Sequence, residues 1–311
     1  MLSSSRSRHR PSPPMNPYAC LDAAAPPNTP DNAIQRRALA EALVADALRS
    51  TQPVVLIYQM AKVGSDAIFR TLLDARIPHP IFKPHSLGPG VLARYQQLAG
   101  AGAPIPTHLE IEAALIRGLF SRSPLPPLIV ITMMRDPIAR ELSHFFEGIR
   151  SQPFPLFDGT GRLYPEAALH FLTQILLRPD ACDRSLHWFD QEIKQFLHFD
   201  VLRHPFDTDR GWSLYHTPEL TVLALQTESI SSSGPQALAE LFHLPNPPTI
   251  TPARIREQMP FGPEYRHVRE RLRLPQRACQ RIYGHPTVRH FYSERQIQQF
   301  LARWSAQPPA T

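Results

Sequence analysis

Cysteine is scarce in this chain, and long apolar runs are absent. The three cysteines, Cys20, Cys182 and Cys279, are widely spaced and form no C-x-x-C pair. This pattern indicates neither a disulfide framework nor a zinc site, and it favours a reduced, cytoplasmic protein. No apolar run reaches the ~18 residues of a membrane span, so no transmembrane segment is expected. The basic first residues lack the apolar stretch of a secretory signal.

Lysine is also rare, and the positive charge is unevenly placed. Only Lys62, Lys83 and Lys194 occur in a chain that holds 33 basic residues and has a net charge of +6. Residues 251–311 carry eleven arginines and four glutamates, so the basic excess belongs to this segment. The segment is either an anion-binding surface or a solvated helical face.

Proline is abundant, with 35 residues among 311. So many prolines exclude a coiled coil and a barrel built mostly of strands. Residues 1–30 are rich in proline and serine and lack periodicity, which predicts a disordered tail. We expect residues 31–311 to form a single domain whose Arg-rich part, 251–311, is helical.

Apolar runs alternate with segments of helical periodicity along the chain. The predicted strands are 54–60, a short one near 81–82, 128–134 and 220–226. The predicted helices are 32–49 with Asp31 as its cap, 90–99, 108–120, 166–177 and 185–197. Strands separated by helices predict an α/β domain with a parallel sheet.

Two strand–loop–helix units carry residues suited to binding anions. In the first, VVLIYQM is followed by Lys62, Gly64 and Ser65 and then by a helix. The N–H groups and the dipole of a helix N-terminus attract anions, and Gly64 allows close approach of the backbone. The loop is not a Walker A motif, because its one glycine follows the lysine.

In the second unit, LIVITMM is followed by Arg135-Asp136-Pro137 and a helix. Asp136 is a suitable N-cap and Pro137 a suitable first helical residue. Arg140 and Ser143 are three residues apart and share a helix face. Arg135 lies where open α/β sheets bind ligands, although it could instead pair with a carboxylate of the protein.

Together, the two units resemble the sulfotransferase superfamily. The resemblance implies a P-loop-like three-layer sandwich, with a central parallel sheet flanked by helices, and 3′-phosphoadenosine 5′-phosphosulfate (PAPS) as co-substrate, without a metal. The first loop would hold the 5′-phosphosulfate, and Arg135 and Ser143 would hold the 3′-phosphate. The loop residues would be Lys62, Val63, Gly64, Ser65, Asp66 and Ala67.

A narrower resemblance covers residues 53–304. Six blocks are similar, in order, to the capsular polysaccharide synthesis proteins, which are sulfotransferase-like bacterial proteins. The blocks are IYQMAKVGSDAIFRTL, RDPIARELSHFFEGI, HWFDQEIKQFLHFDV, HPFDTDRGW, VLALQTESI and VRHFYSERQIQQF. This resemblance implies a glycan or polysaccharide acceptor and a role in polysaccharide biosynthesis.

Sulfuryl transfer requires a cation at the leaving oxygen and a base for the acceptor hydroxyl. Lys62 is placed for the first role. His85, just after the predicted second strand, is the first candidate for the base. His108 is the rival candidate, and Glu147, one turn after Ser143, is a weaker third.

Three positions depart from the family pattern. Asp66 stands where serine or threonine is usual, and its carboxylate either repels a phosphosulfate or caps the helix. Lys83-Pro84-His85 replaces an expected His-x-His, and Gln226 replaces a common arginine near the retained Glu228. These changes leave open a non-catalytic nucleotide-binding or assembly protein on the same fold.

Two further classes of function fit less well. The Arg-rich C-terminal segment could bind nucleic acid, but no recognition motif is present, so no nucleic-acid partner is expected. A kinase is disfavoured by the missing Walker A motif.

Overall fold

A central five-stranded sheet organises the protein. The computed structural model describes residues 16–24, 30–122, 125–253 and 255–306. The strands are β1 (Val54–Ile57), β2 (Ile81–Phe82), β3 (Leu128–Met134), β4 (Trp212–His216) and β5 (Leu220–Gln226). They lie in the order β2-β1-β3-β5-β4. All pairs are parallel except β4 with β5.

Helices flank this sheet, with α3 packed on β1 and α10 on β4 and β5. The helices are α1 (Pro17–Ala24), α2 (Pro30–Arg49), α3 (Ser65–Asp74), α4 (Pro89–Gly100), α5 (Thr107–Gly118), α6 (Pro137–Glu147), α7 (Pro165–Leu177), α8 (Asp183–Leu186), α9 (Gln195–Leu197), α10 (Gly234–Phe242), α11 (Gly262–Arg271), α12 (Gln276–Tyr283), α13 (Pro286–Phe291) and α14 (Glu294–Trp304). A π-helical turn, Phe189–Lys194, joins α8 to α9, and short 3₁₀ turns occur at Ile149–Ser151, Val201–Arg203, Thr227–Ser229 and Arg256–Gln258. Among the described residues, no helix combines the length and apolar character that crossing a bilayer requires.

The predicted mixed α/β class is confirmed, and the apolar runs are the buried strands. Every residue of β1 and β3 is buried, and six of the seven in β5 are. Burial of nearly every position, on both sides of the strand, produces continuous apolar runs rather than alternation. Strands β3 and β5 have the predicted bounds, while β1 ends three residues early. The three-layer, P-loop-like arrangement stays a prediction.

The expectation of a parallel sheet was wrong at one edge. Strand β4 precedes β5 in the chain and runs antiparallel to it at the edge of the sheet. A tight turn joins the two strands, and in it Thr217 N–H donates to the Leu220 carbonyl at 2.8 Å. Antiparallel neighbours can be joined by a few residues, whereas parallel ones need a long crossover. The mixed exposure of β4 gave no apolar run to recognise.

Helix α1 corrects part of the predicted disordered tail. Leu21 is fully buried, and Arg36 Nη1 of α2 donates to its carbonyl at 3.1 Å. A helix of eight residues is marginal alone, so docking on α2 and α5 stabilises it. The rest of the predicted tail, 1–15 and 25–29, lies outside the described residues. The single domain from 31 to 311 stays a prediction.

The predicted start of α6 is confirmed, and α14 has a capped start as well. Asp136 caps α6 by accepting from two N–H groups, and Ser293 caps α14 in a capping box with Gln296. Helix α2 begins at Pro30, one residue before its predicted cap at Asp31. Trp304 is fully buried and belongs to the core.

Candidate functional site

The strand order predicts where a ligand can bind. The chain leaves β1 toward β2 on one side, and β3 continues to β5 on the other. The loops after β1 and β3 therefore diverge, which opens a crevice at the carboxyl ends of these strands. A cleft of about 1560 Å³ opens there. Eight of the predicted site residues line it: Lys62, Gly64, Ser65, Asp66, His85, His108, Arg135 and Ser143.

The loop after β1 is held by its carbonyl groups. Arg140 Nε donates to the carbonyl of Ala61 at 3.1 Å, and Arg135 Nη1 donates to that of Lys62 at 2.8 Å. Thr227 Oγ1, which follows β5, donates to the carbonyl of Val63 at 2.8 Å. Three consecutive carbonyls thus bond to side chains from the β3 and β5 units. Val63 itself is buried beneath the loop.

Gly64 ends this loop at the N-terminus of α3. Its φ is 91°, and a β-carbon there would lie 2.8 Å from Ile230 Cδ1. Glycine has no side chain to cap the helix, and its own cap position shows no side-chain hydrogen bond. The N-terminal N–H groups of a helix have no partner within the helix. The start of α3 therefore faces the cleft as a place for an anion.

Lys62 lies beside this helix end in an ion pair. Its Nζ is 2.8 Å from Glu147 Oε1, at the end of α6. The Lys62 side chain is 19% exposed and that of Glu147 is 42% exposed, so the pair remains open to solvent. Glu147 was the third candidate for a general base. Its contact with an ammonium group favours a role in balancing charge instead.

Asp66 lies in the first turn of α3, whose N-cap residue is Gly64. Its Oδ1 contacts the Nζ of Lys83, which follows β2. The Asp66 carboxylate is therefore paired with a lysine.

Asp136, at the start of α6, is a structural residue. It is buried, and its carboxylate accepts from the N–H groups of Ile138 and Ala139 at 3.0 and 3.4 Å. It also accepts from Tyr283 Oη and Trp304 Nε1, both at 2.7 Å. These donors fix the N-terminus of α6, so the ends of β3 and α6 are rigid.

Arg135 and Ser143 point to the same cleft from this unit. Arg135 donates to a backbone carbonyl rather than to the carboxylate that the alternative reading required. Ser143 is nearly buried, and it shares its helix face with Arg140 as predicted. A guanidinium group and a hydroxyl group can each donate a hydrogen bond to a phosphate oxygen.

His85 lies in the loop between β2 and α4. Its Nδ1 is 3.3 Å from the Gln59 carbonyl, and since a carbonyl only accepts, Nδ1 carries the proton. Burial and the charge of Lys83 lower the pKa of His85 from 6.5 to about 4. The ring is therefore neutral near pH 7, with its lone pair on Nε2, and can accept a proton.

His108, in the first turn of α5, lies close to His85. The two ring centroids are 6.2 Å apart. Burial, together with the charges of Arg94 and Lys83, lowers the pKa of His108 as well. Both candidate bases thus occupy one end of the cleft, and His85 is the more enclosed of the two.

Two carboxylates that the sequence did not single out hold the loop of His85. Glu112 Oε1, on α5, accepts from the N–H groups of His85 and Ser86 at 2.7 and 3.4 Å. Glu192 accepts from Leu87 N–H at 2.9 Å and from Ser86 Oγ at 2.6 Å. Burial, with a smaller contribution from the charge of Glu192, raises the pKa of Glu112 from 4.5 to about 7.

Glu192 is half-buried. It lies in the π-helical turn, which replaces part of the continuous helix predicted over 185–197. Trp188, just before this turn, also bonds to the loop of His85, because its Nε1 donates to the His85 carbonyl at 3.1 Å. Trp188 and Glu192 thus both bond to the loop that carries His85.

Gln226 and Glu228 link the end of β5 to the C-terminal helices. Gln226 is fully buried and donates to the Phe291 carbonyl at 2.5 Å. Glu228 accepts from Asp136 N–H at 2.9 Å and from Tyr292 Oη at 2.7 Å. Desolvation raises the pKa of Glu228, although its side chain still reaches the cleft.

Comparison with known proteins gives one match. Residues 168–293 match the family model described as "NKWYS: Putative capsular polysaccharide synthesis protein". The match contains β4, β5, Glu192 and Glu228, but it does not reach the loops of Lys62 and Arg135. Neither the comparison with curated proteins nor that with solved structures returns a match.

Proposed function

We propose that this protein is a PAPS-dependent sulfotransferase that moves a sulfuryl group to a hydroxyl of a glycan or polysaccharide. One observation carries the proposal. An uncapped helix N-terminus, a lysine and an arginine line one cleft at the divergence of the strands. The family match over residues 168–293 supports a polysaccharide-type acceptor.

PAPS has two anionic groups, and the cleft offers two sets of hydrogen-bond donors. The start of α3, with Ser65 and Lys62, suits the 5′-phosphosulfate, because helix N–H groups and an ammonium both favour negative charge. Arg135 and Ser143 suit the 3′-phosphate. The side-chain hydrogen bonds to carbonyls 61–63 fix the first set relative to the second, and this spacing selects for a ligand with both groups.

The proposed reaction is an in-line displacement at sulfur. The acceptor oxygen forms a bond to sulfur while the bond from sulfur to the phosphate oxygen breaks, and the acceptor proton passes to a base. The products are a sulfate ester and 3′-phosphoadenosine 5′-phosphate. Lys62 stabilises the charge that develops on the leaving phosphate oxygen. His85 receives the proton at Nε2, with His108 as the alternative base.

A calorimetric titration with 3′-phosphoadenosine 5′-phosphate, with ATP as the control ligand, tests the nucleotide site. We expect micromolar binding that depends on the 3′-phosphate. Arg135→Ala should weaken this ligand by more than about tenfold and adenosine 5′-phosphate much less, since the latter lacks the group that Arg135 would contact. Absence of binding, or equal losses for both ligands, would contradict the assignment.

Transfer from sulfur-labelled PAPS to a polysaccharide fraction tests the chemistry. Lys62→Ala should lower the rate by about a hundredfold or more. Lys194→Ala is the matched control, because Lys194 pairs with Asp200 and does not line the cleft. Normal transfer by Lys62→Ala would refute the proposed mechanism.

A second candidate is a nucleotide-binding or assembly protein without turnover. The observation in its favour is that the lysines beside α3, Lys62 and Lys83, are both paired with carboxylates. Nucleotide binding by the wild type, without transfer to any polysaccharide fraction, would favour this candidate.

A further inference from the structure

Two residues that depart from the family pattern contact each other. Asp66 replaces a usual serine or threonine in the first turn of α3, and Lys83 begins the segment that replaces His-x-His. In the structure, Lys83 Nζ contacts Asp66 Oδ1. Both side chains are mostly enclosed, with 17% of Lys83 and 25% of Asp66 exposed. Both residues line the cleft.

The position of Lys83 is fixed from several sides. Its backbone N–H donates to Tyr18 Oη of α1 at 2.6 Å. Its ammonium lies 5.7 Å from the ring centroid of Tyr18 and 5.6 Å from that of Phe69, within the range of a cation–π contact. Phe69 is three residues after Asp66 on α3. The ammonium is therefore held beside the first turn of α3 by side chains of two elements, α1 and α3.

A carboxylate in the first turn of a helix competes with an anionic ligand for the same positive end. An adjacent ammonium removes most of this opposition, because opposite charges in contact present little net charge to a third group. The charge of Lys83 is also felt deeper in the cleft, where it contributes to the lowered pKa of His85.

We propose that Lys83 is a donor-site residue that compensates Asp66, so that the start of α3 can bind the 5′-phosphosulfate despite the carboxylate in its first turn. This inference rests on the proposed function. It assigns a binding role to Lys83, and it makes the two departures one compensated pair rather than two defects.

Nucleotide titrations of four variants test the pair: Lys83→Gln, Asp66→Asn, the double variant, and Lys194→Gln as the matched control. The ligands are 3′-phosphoadenosine 5′-phosphate and adenosine 3′-phosphate, which lacks the 5′ group. Lys83→Gln should weaken the first ligand about tenfold and the second little, because only the first places charge beside Asp66. The affinity of the double variant should return to within about threefold of the wild-type value. The affinity of Lys194→Gln should equal that of the wild type.

Asp66→Asn keeps the inference testable if Lys83→Gln does not fold. Loss of the carboxylate leaves the ammonium unopposed, so the variant should bind 3′-phosphoadenosine 5′-phosphate about fivefold more tightly. Unchanged or weaker binding by Asp66→Asn, equal losses for both ligands, or no recovery in the double variant would overturn the inference while the wild type still binds. Failure of the wild type to bind refutes the proposed function itself.

Discussion

Removal of the buried carboxylate of Glu112 should change how stability depends on pH. Glu112 is 3% exposed and accepts from two backbone N–H groups in the loop of His85. The substitution Glu112→Gln keeps an oxygen for these donors and the size of the side chain. It removes the ionisation, so any change in pH dependence reports the carboxylate rather than the packing.

The sign follows from the direction of the pKa change. Burial raises the pKa of Glu112 in the folded protein from 4.5 to about 7, so the folded state binds a proton that the unfolded state releases. The stabilising contribution is complete below pH 4.5 and is lost as pH rises through 7. A pKa difference of this size corresponds to about 3 kcal/mol. Stability of the wild type, measured relative to Glu112→Gln, should therefore fall by about that amount between pH 4.5 and 8.

Urea unfolding at steps of pH measures the difference directly. The quantity to plot is the free energy of unfolding of the wild type minus that of the variant. Glu240→Gln is the control, since it removes a carboxylate that is 45% exposed, and exposed pairs contribute little. A difference for Glu112→Gln that stays constant from pH 4.5 to 8, or that rises with pH, would refute the reasoning.

Two further carboxylates should separate binding from catalysis. Glu147→Gln removes the ion pair between Glu147 and Lys62. Calorimetry should therefore show up to about fivefold tighter binding of 3′-phosphoadenosine 5′-phosphate at low salt, and a smaller gain in affinity at high salt. Weaker binding would mean that Glu147 itself helps to hold the ligand. Glu192→Gln sets an N–H donor against the donors of the loop that carries His85. Its transfer rate should fall about tenfold with nucleotide affinity unchanged, unlike Asp190→Asn on the same turn, and equal losses of rate and affinity would count against a positioning role.

The strands that the sequence predicted with correct bounds are those with a strong local signal. Strands β3 and β5 are continuous apolar runs, because nearly every position in them is buried. Such runs can be recognised in the sequence without knowledge of the neighbouring strands. The start of α6 is equally local, because Asp136 and Pro137 carry their own cap and first turn. Helix α1 depends on docking against α2 and α5, and edge strand β4 has mixed exposure along its length, so no short pattern revealed either element.

The candidate site divides in the same way. Lys62 and Arg135 could be predicted, because the ends of parallel strands meet at one edge whatever the details of the fold. Glu112 and Glu192 could not be placed from the same reasoning, because they bond to a loop that is 26 or more residues away in the chain. The pairing of Asp66 with Lys83 also required the structure, since β2 had to lie beside β1 to bring them together.

Basic and acidic side chains line the cleft in nearly equal numbers, so anion binding cannot rest on an excess of basic residues alone. Among the described residues, the lining basic side chains are Lys62, Arg70, Lys83, Arg94, Arg135, Arg184, Arg256, Arg269 and Arg303. The lining carboxylates are Asp22, Asp66, Glu112, Asp136, Glu147, Glu192, Glu228 and Glu257. Their situations differ, however.

Four of these carboxylates build the walls of the cleft. Asp136, Glu112, Glu192 and Glu228 accept from backbone N–H groups, and their oxygens are used to fix the α6 start, the His85 loop and the β5 end. A hydrogen-bonded carboxylate shares its charge with its donors, and it cannot move without breaking those hydrogen bonds. Glu147 differs, because it is 42% exposed and meets Lys62 at the open side of the cleft. Under the proposed function, the incoming 5′-phosphosulfate would replace Glu147 at Lys62 and leave the hydrogen bonds of the walls intact.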